Sequence, residues 1–323
     1  MLSFIAQRIV KGVIVLLAIV VLNFFLIRLA PGDPAVVMAG EAGASDQVFV
    51  AQLREKFGLD KPLPEQLYRY VKGIVTFDLG FSFRQQMPVS QLILERLPAT
   101  LLLTLTAFAI SLIFGILFGM LAARFAGTWA DTAITVLALI FYATPLFWIA
   151  LIAILVFSVW MDWLPSFGYE TVGANYTGFA HVLDVGAHLI MPAMTIGFFF
   201  MATYTRMTRA SMLEVKRLDF VKTARAKGVS DAVIQRRHIL RNALLPVVTL
   251  AGLHSGTLIG GAVLTETVFA WPGIGRLMYD ALIQRDYNLL LGVFVVCSAM
   301  VLIFNLITDL VYRAVDPRIN YTS

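Results

Sequence analysis

Charge and cysteine are what this chain has least of. Only 14% of its 323 residues are Asp, Glu, Lys or Arg, where a soluble domain carries about 25%. That is too little polar surface to coat a water-soluble globule. A hydrophobic share of 59% excludes disordered, collagenous and coiled-coil chains as well. The single cysteine, Cys297, rules out a disulfide framework and a cysteine-based metal site. Signatures of chemistry are missing too: there is no His-Glu-x-x-His, no Gly-x-Ser-x-Gly elbow and no Gly-x-x-x-x-Gly-Lys-Ser/Thr phosphate loop. His181 and His188, seven residues apart, lack further ligands. No catalytic residue and no metal ligand is assigned, and the chain is not expected to be an enzyme. The net charge of +5 does not point to nucleic acid, because Lys and Arg of a membrane protein gather on its cytoplasmic loops.

What is present is length of apolar run. Crossing a bilayer as a helix takes roughly 20 apolar residues, and six stretches qualify: Ile9–Leu29, Thr100–Ala122, Thr132–Trp160, His188–Tyr204, Val247–Ala270 and Leu289–Tyr312. Pro145 falls near the middle of the third, which is therefore kinked or broken. The first is too long for a signal-peptide core and has no cleavage site after it, so it reads as a retained anchor. Between the fourth and fifth stretches lie Arg209, Lys216, Arg217, Lys222, Arg225, Lys227, Arg236, Arg237 and Arg241, whereas 161–187 has no Lys or Arg. This bias puts both termini in the cytoplasm. Trp160, Trp163 and Trp271 then fall at the outer interface and Trp129 at the inner one. Within the long outer loop, Asp46–Phe57 and Leu63–Val75 have helical spacing. The expected fold is an all-α integral membrane protein. It has six transmembrane helices and a helical outer-side cap between the first two.

The segment Leu218–Pro246 is the most informative. A short helix carrying Thr223 and Ala224 stops at Gly228, a residue suited to a left-handed helix terminus. Ser230 can cap a second helix with its hydroxyl, and that helix is expected to end before Pro246 opens the fifth span. Two short helices around a glycine make a compact lever that another protein's groove can enclose. A basic helix lying on anionic lipid is the plainer alternative.

This arrangement resembles the cytoplasmic coupling loop of permease subunits of binding-protein-dependent ABC importers, in the dipeptide/oligopeptide/nickel branch. Further stretches fit the same branch in order. They are Arg28-Leu29-Ala30-Pro31-Gly32-Asp33-Pro34, Leu79-Gly80-Phe81-Ser82 with Arg96-Leu97-Pro98-Ala99-Thr100, Glu266-Thr267-Val268-Phe269-Ala270-Trp271-Pro272-Gly273-Ile274-Gly275, and Asp316-Pro317-Arg318. Relative to the wider importer pattern, Lys222 and Thr223 replace Glu and Ala, as is typical of this branch. The resemblance implies that Lys222, Thr223, Ala224, Arg225, Ala226, Lys227 and Gly228 dock on a cytoplasmic ATPase. It implies as partners a second homologous permease, two ATPase subunits, a periplasmic substrate-binding protein and membrane lipid. No cofactor is implied for this chain itself, since ATP and Mg would sit on the ATPases. Residues 1–98 would form the first helix and cap region, 99–316 the importer transmembrane domain with its coupling loop at 209–246, and 317–323 a tail. Peptides are the leading cargo; nickel, glutathione, opines and oligosaccharides stay open.

Pathway candidates come from the fifth span. Gly252, Gly256 and Gly260 recur at every fourth residue beside Ser255. Such a stripe lets helices approach closely, whether for static packing or for a moving interface. His254 and Glu266 are ionisable groups within the span, which makes them candidates by default, though each also suits a structural role. Gly115 and Gly119 are expected to pack statically. A self-sufficient secondary transporter is the competing function, but no internal repeat around buried charges supports it.

Overall fold

The computed structural model describes residues 2–29, 34–41, 46–56, 60–82 and 84–315. Helix dominates. Among the described residues, four helices are long and apolar enough to cross a bilayer: Ala6–Leu26 within α1 (Leu2–Leu29), α5 (Val89–Arg124), α8 (Phe179–Val215) and Tyr287–Thr308 within α14 (Tyr287–Val315). A fifth is the bent pair formed by α6 (Trp129–Ala143) and α7 (Leu146–Ala153), the latter continuing as wider π-helical turns to Trp160. Proline decides the break. Thr144, preceding Pro145, is held extended at φ −86° and ψ 134°, as the proline ring requires, and the two halves diverge by 104°. The expected fifth span is divided at Gly256 into α11 (Arg241–Ser255) and α12 (Thr257–Val268).

The chain forms two compact units. One comprises Met1–Thr100 with Pro272–Ile303. It holds α1, the short α2 (Pro34–Glu41) and α3 (Gln47–Lys56), α4 (Leu63–Val75) and α13 (Ile274–Gln284). The α3 and α4 boundaries match the sequence expectation closely; α2 and α13 had no signal in it. One departure from an all-α fold is a small antiparallel hairpin, β1 (Phe81–Ser82) with β2 (Met87–Pro88). Its anchor is Asp286, a buried carboxylate at the start of α14. Asp286 Oδ1 accepts from Leu289 N at 3.1 Å, an N-cap, and its other oxygen accepts from the Ser82 hydroxyl. Asn288 Nδ2 adds a bond to Phe81 O at 3.1 Å. Thr100 likewise caps α13, its Oγ1 accepting from Ile274 N at 2.7 Å. Motifs far apart in the sequence thus meet through side-chain caps on helix ends, where backbone N–H groups lack intrahelical acceptors.

The other unit, Leu101–Trp271 with Phe304–Ser323, is built around α8. Glycines set its closest contacts. A Cβ added at Gly115 would stand 2.5 Å from Tyr204 Cβ, and one at Gly119 2.5 Å from Thr208 Cβ. Gly197 of α8 meets Ile110 in the same way. Helix backbones in a bilayer gain attraction by such close approach, since lipid offers no hydrophobic drive between them. Gly115 and Gly119 thus each allow a close α5–α8 contact. Arg209 of α8 grips Asp131 of α6 through two bonds, Nε to Oδ1 at 2.6 Å and Nη2 to Oδ2 at 2.7 Å. Gly127 N also donates to that carboxylate at 3.0 Å.

Two sequence expectations are corrected here. Trp271 is not an interface residue: it is fully buried, 4.9 Å from the Tyr169 ring. Trp129, Trp160 and Trp163 are exposed. The second concerns Pro246, which does not open a new helix. Helical backbone runs from α10 (Asp231–Val233) through π turns at Ile234–Leu240 into α11, with Pro246 inside it. Proline deprives that stretch of one N–H donor, and the chain keeps its helical course across the loss.

Candidate coupling site

The candidate docking element is a short helix seated on a platform. Helix α9 (Asp219–Ala226) follows α8 after a brief turn, and Leu218 precedes it in extended conformation. Asp219 lies in the first turn, where the helix dipole favours an anion, and Lys222 Nζ reaches its carboxylate at 2.8 Å. Thr223 Oγ1 donates to Asp219 O at 3.0 Å.

Termination follows from Gly228. Its φ is +75°, a region where a side chain is strained. Gly228 N donates to Arg225 O at 2.9 Å and Val229 N to Ala224 O at 3.2 Å, the paired bonds of a Schellman cap. The chain then reverses into α10. Ser230 stands at the N-cap in extended conformation, but its hydroxyl makes no capping bond, contrary to expectation. Arg225 reaches Asp231 at 3.5 Å across the turn.

Two side chains fix the orientation of α9. Val221 and Ala224 are buried three residues apart, so they share one face. They enter a cluster with Ala123 of α5, Met212 of α8, Ile234 and Ile239 of the π turns and Ala243 of α11. Of the seven expected docking residues, Ala224 therefore points into the platform, while Lys222, Thr223, Arg225, Ala226, Lys227 and Gly228 are exposed. Sequence reasoning missed Phe220 and Leu218, both exposed apolar side chains beside this face. A period-3.6 projection from Val221 would have turned Phe220 outward.

The pathway candidates are scattered over the α11–α12 region. A Cβ at Gly252 would collide with the Thr308 side chain of α14, so this glycine permits a close helix crossing. His254 packs edge-on against Phe200 at 5.8 Å and lies 6.1 Å from the Tyr204 ring. Glu266 is fully buried near the end of α12. Gly256 is the residue between α11 and α12. Ser255 and Gly260 belong to those helices, but their surroundings lie outside the described residues, as does the Asp316-Pro317-Arg318 motif. Among the described residues no group of three or more His, Cys, Asp or Glu could hold a metal ion. His181 faces Glu170 at 3.2 Å, and His188 is buried with Nδ1 2.9 Å from Asp184 O.

Residues 115–321 match the family described as binding-protein-dependent transport system inner membrane component, and residues 1–104 match its N-terminal companion family. The chain belongs to this family. It is accordingly an integral membrane permease component of an ABC import system, one that works with other subunits. A di/tripeptide transport system permease protein of Pseudomonas aeruginosa is 41% identical over 335 residues, covering 99% of each chain. A putative peptide transport system permease protein of Brucella abortus is 40% identical over 321 residues, covering 99% of this chain and 100% of the relative. In fold, the chain resembles a subunit of the inward-facing MetNI methionine ABC transporter, with a TM-score of 0.57 and 20% identity over 70% of this chain and 97% of that one.

Proposed function

We propose that this permease component forms half of the translocation pathway of a peptide importer and carries the ATPase docking element on α9. Two cytoplasmic ATPases would hold ATP and Mg, a second homologous permease would complete the pathway, and a periplasmic binding protein would deliver cargo. The proposal includes six membrane crossings, with α11 and α12 together making one of them, both termini in the cytoplasm and α2–α4 on the outer side. Peptide cargo is supported by the names of the full-length relatives.

One observation carries the coupling role: α9 turns Val221 and Ala224 into the protein and leaves Thr223, Ala226 and Lys227 facing outward, with a Schellman turn closing the element. The face is small-residued and basic. ATP-driven closure of the ATPases would push on this platform and so tilt α5, α8 and α11 together. The test is disulfide or short-linker capture from Ala226→Cys in native membranes. Capture of an ATPase subunit, with retained assembly and uptake lost on cross-linking, is the expected outcome. Capture of no ATPase from Ala226→Cys or Thr223→Cys, in membranes that do contain the assembled system, would refute the coupling role.

A further inference from the structure

Helices α5, α11 and α14 enclose an apolar slot of about 450 Å³, bounded along its length by Thr104 and Ile116 of α5, Leu244 and Gly252 of α11, and Thr308 of α14. It lies within one unit of the chain and touches none of the α9 docking face. From Thr104 to Ile116 the slot runs roughly 18 Å at a helical rise of 1.5 Å per residue. That is close to the ~15 Å hydrocarbon depth of a single leaflet. Dividing volume by length leaves a cross-section of about 25 Å², far too narrow for a helix about 10–12 Å across. Such a slot suits an extended chain, such as a lipid acyl tail, rather than a helix.

Its Leu244 end is chemically marked. Arg241, Leu244, Val248 and Gly252 fall at i, i+3, i+7 and i+11 of α11, one stripe along the helix, so Arg241 stands in line with the slot at its mouth. Arg241 is exposed, as are Arg236 and Arg237 one turn before it, and none of the three has a carboxylate partner among the described residues. Basic sites between membrane helices on the cytoplasmic side suit anionic headgroups.

We propose that this slot binds one acyl chain of an anionic phospholipid from the leaflet next to the basic connection, with its phosphate on Arg241. The site ties α5, α11 and α14 together with lipid where side chains leave a gap. The test uses the full chain with its co-purifying subunits, equilibrated in detergent micelles containing equal phosphatidylglycerol and phosphatidylethanolamine. The lipid surviving gel filtration is then extracted and counted per chain. Wild type should retain phosphatidylglycerol preferentially. Arg241→Gln should lower the retained ratio of the two lipids about fivefold without loss of assembly. Val248→Trp, which fills the slot, should lower retention of both.

Equal retention of the two lipids by wild type would overturn the proposal, as would an unchanged ratio in Arg241→Gln. Since Arg241 is exposed, that variant stays informative even if Val248→Trp fails to fold. Cross-linking of Val248→Cys to another protein subunit in native membranes would also overturn it, by showing the slot filled with protein. None of these readouts depends on transport, so they stand apart from the coupling assignment.

Discussion

At the scale of single residues, the chain spends strain where a helix must stop abruptly. Ala270 sits at φ +51° after α12, with Ala270 N bonded to Thr267 O at 3.3 Å and Trp271 N to Glu266 O at 2.9 Å. This is the same paired cap that Gly228 provides for α9, made here by a residue with a Cβ. A left-handed alanine costs roughly 1–2 kcal/mol, while glycine adds about 0.5–1 kcal/mol of unfolded-state entropy. Ala270→Gly should therefore raise stability by about 0.5–1 kcal/mol, read as a higher unfolding temperature in detergent. An unchanged or lower temperature would mean that the methyl group contributes packing beyond its strain. The site at Gly228 was legible because glycine enters that conformation without strain. Ala270 gave no such signal, and the burial of Trp271 was hidden behind the general rule that tryptophans sit at membrane interfaces.

Elements in this fold are joined by contacts that no sequence window contains. Asp131 and Arg209 are 78 residues apart, and Ser82 and Asp286 are 204 apart. Apolar runs and periodicity identified α5, α8 and α14 and the short helices α3 and α4, because each has a run or face long enough to register. It could not show that Pro246 would sit inside a continuing helix, nor which carboxylate would meet which guanidinium. The Asp131 side chain is 7% exposed and that of Arg209 33%. Asp131→Ala should cost about 3 kcal/mol, the low end for a broken buried pair, because water reaches part of the guanidinium. Adding Arg209→Leu should restore much of that loss. Strictly additive losses in a double-mutant cycle would show that the pair is not coupled. Gly119→Leu should cost about 1–3 kcal/mol by overpacking the α5–α8 contact, whereas Gly127→Ala, with nothing within 4 Å of its added Cβ, carries only the strain of its positive φ. The two unfolding temperatures compare them directly.

For the whole molecule, the coupling reading predicts a separation of assembly from work. Gly228→Val strains the Schellman turn by roughly 1–2 kcal/mol, and a Cβ there meets no neighbouring atom within 4 Å, so the membrane helices should still fold and collect their partners. Peptide uptake by cells carrying it should fall severalfold or more, while the amount of inserted protein stays near wild type. Loss of insertion instead would assign Gly228 to folding, and undiminished uptake would remove α9 from the coupling step. Family membership was legible from motifs spread along the chain, two of which meet helix ends in the fold: Ser82 bonds Asp286 at the start of α14, and Thr100 bonds the first residue of α13.

The shallow seating of α9 has a consequence for the chain before it meets its partners. Only Val221 and Ala224 are buried beneath it, an attachment of about 3 kcal/mol, which a tenfold step per 1.4 kcal/mol converts to detachment in roughly one molecule in a hundred. Trypsin-like cleavage sites at Lys222, Arg225 and Lys227 would be bared each time. If α9 docks on ATPases as proposed, a surplus copy synthesised without them would be nicked and cleared by housekeeping proteases, while an assembled copy would be shielded. Subunit ratios in the membrane would then be set by survival as much as by synthesis.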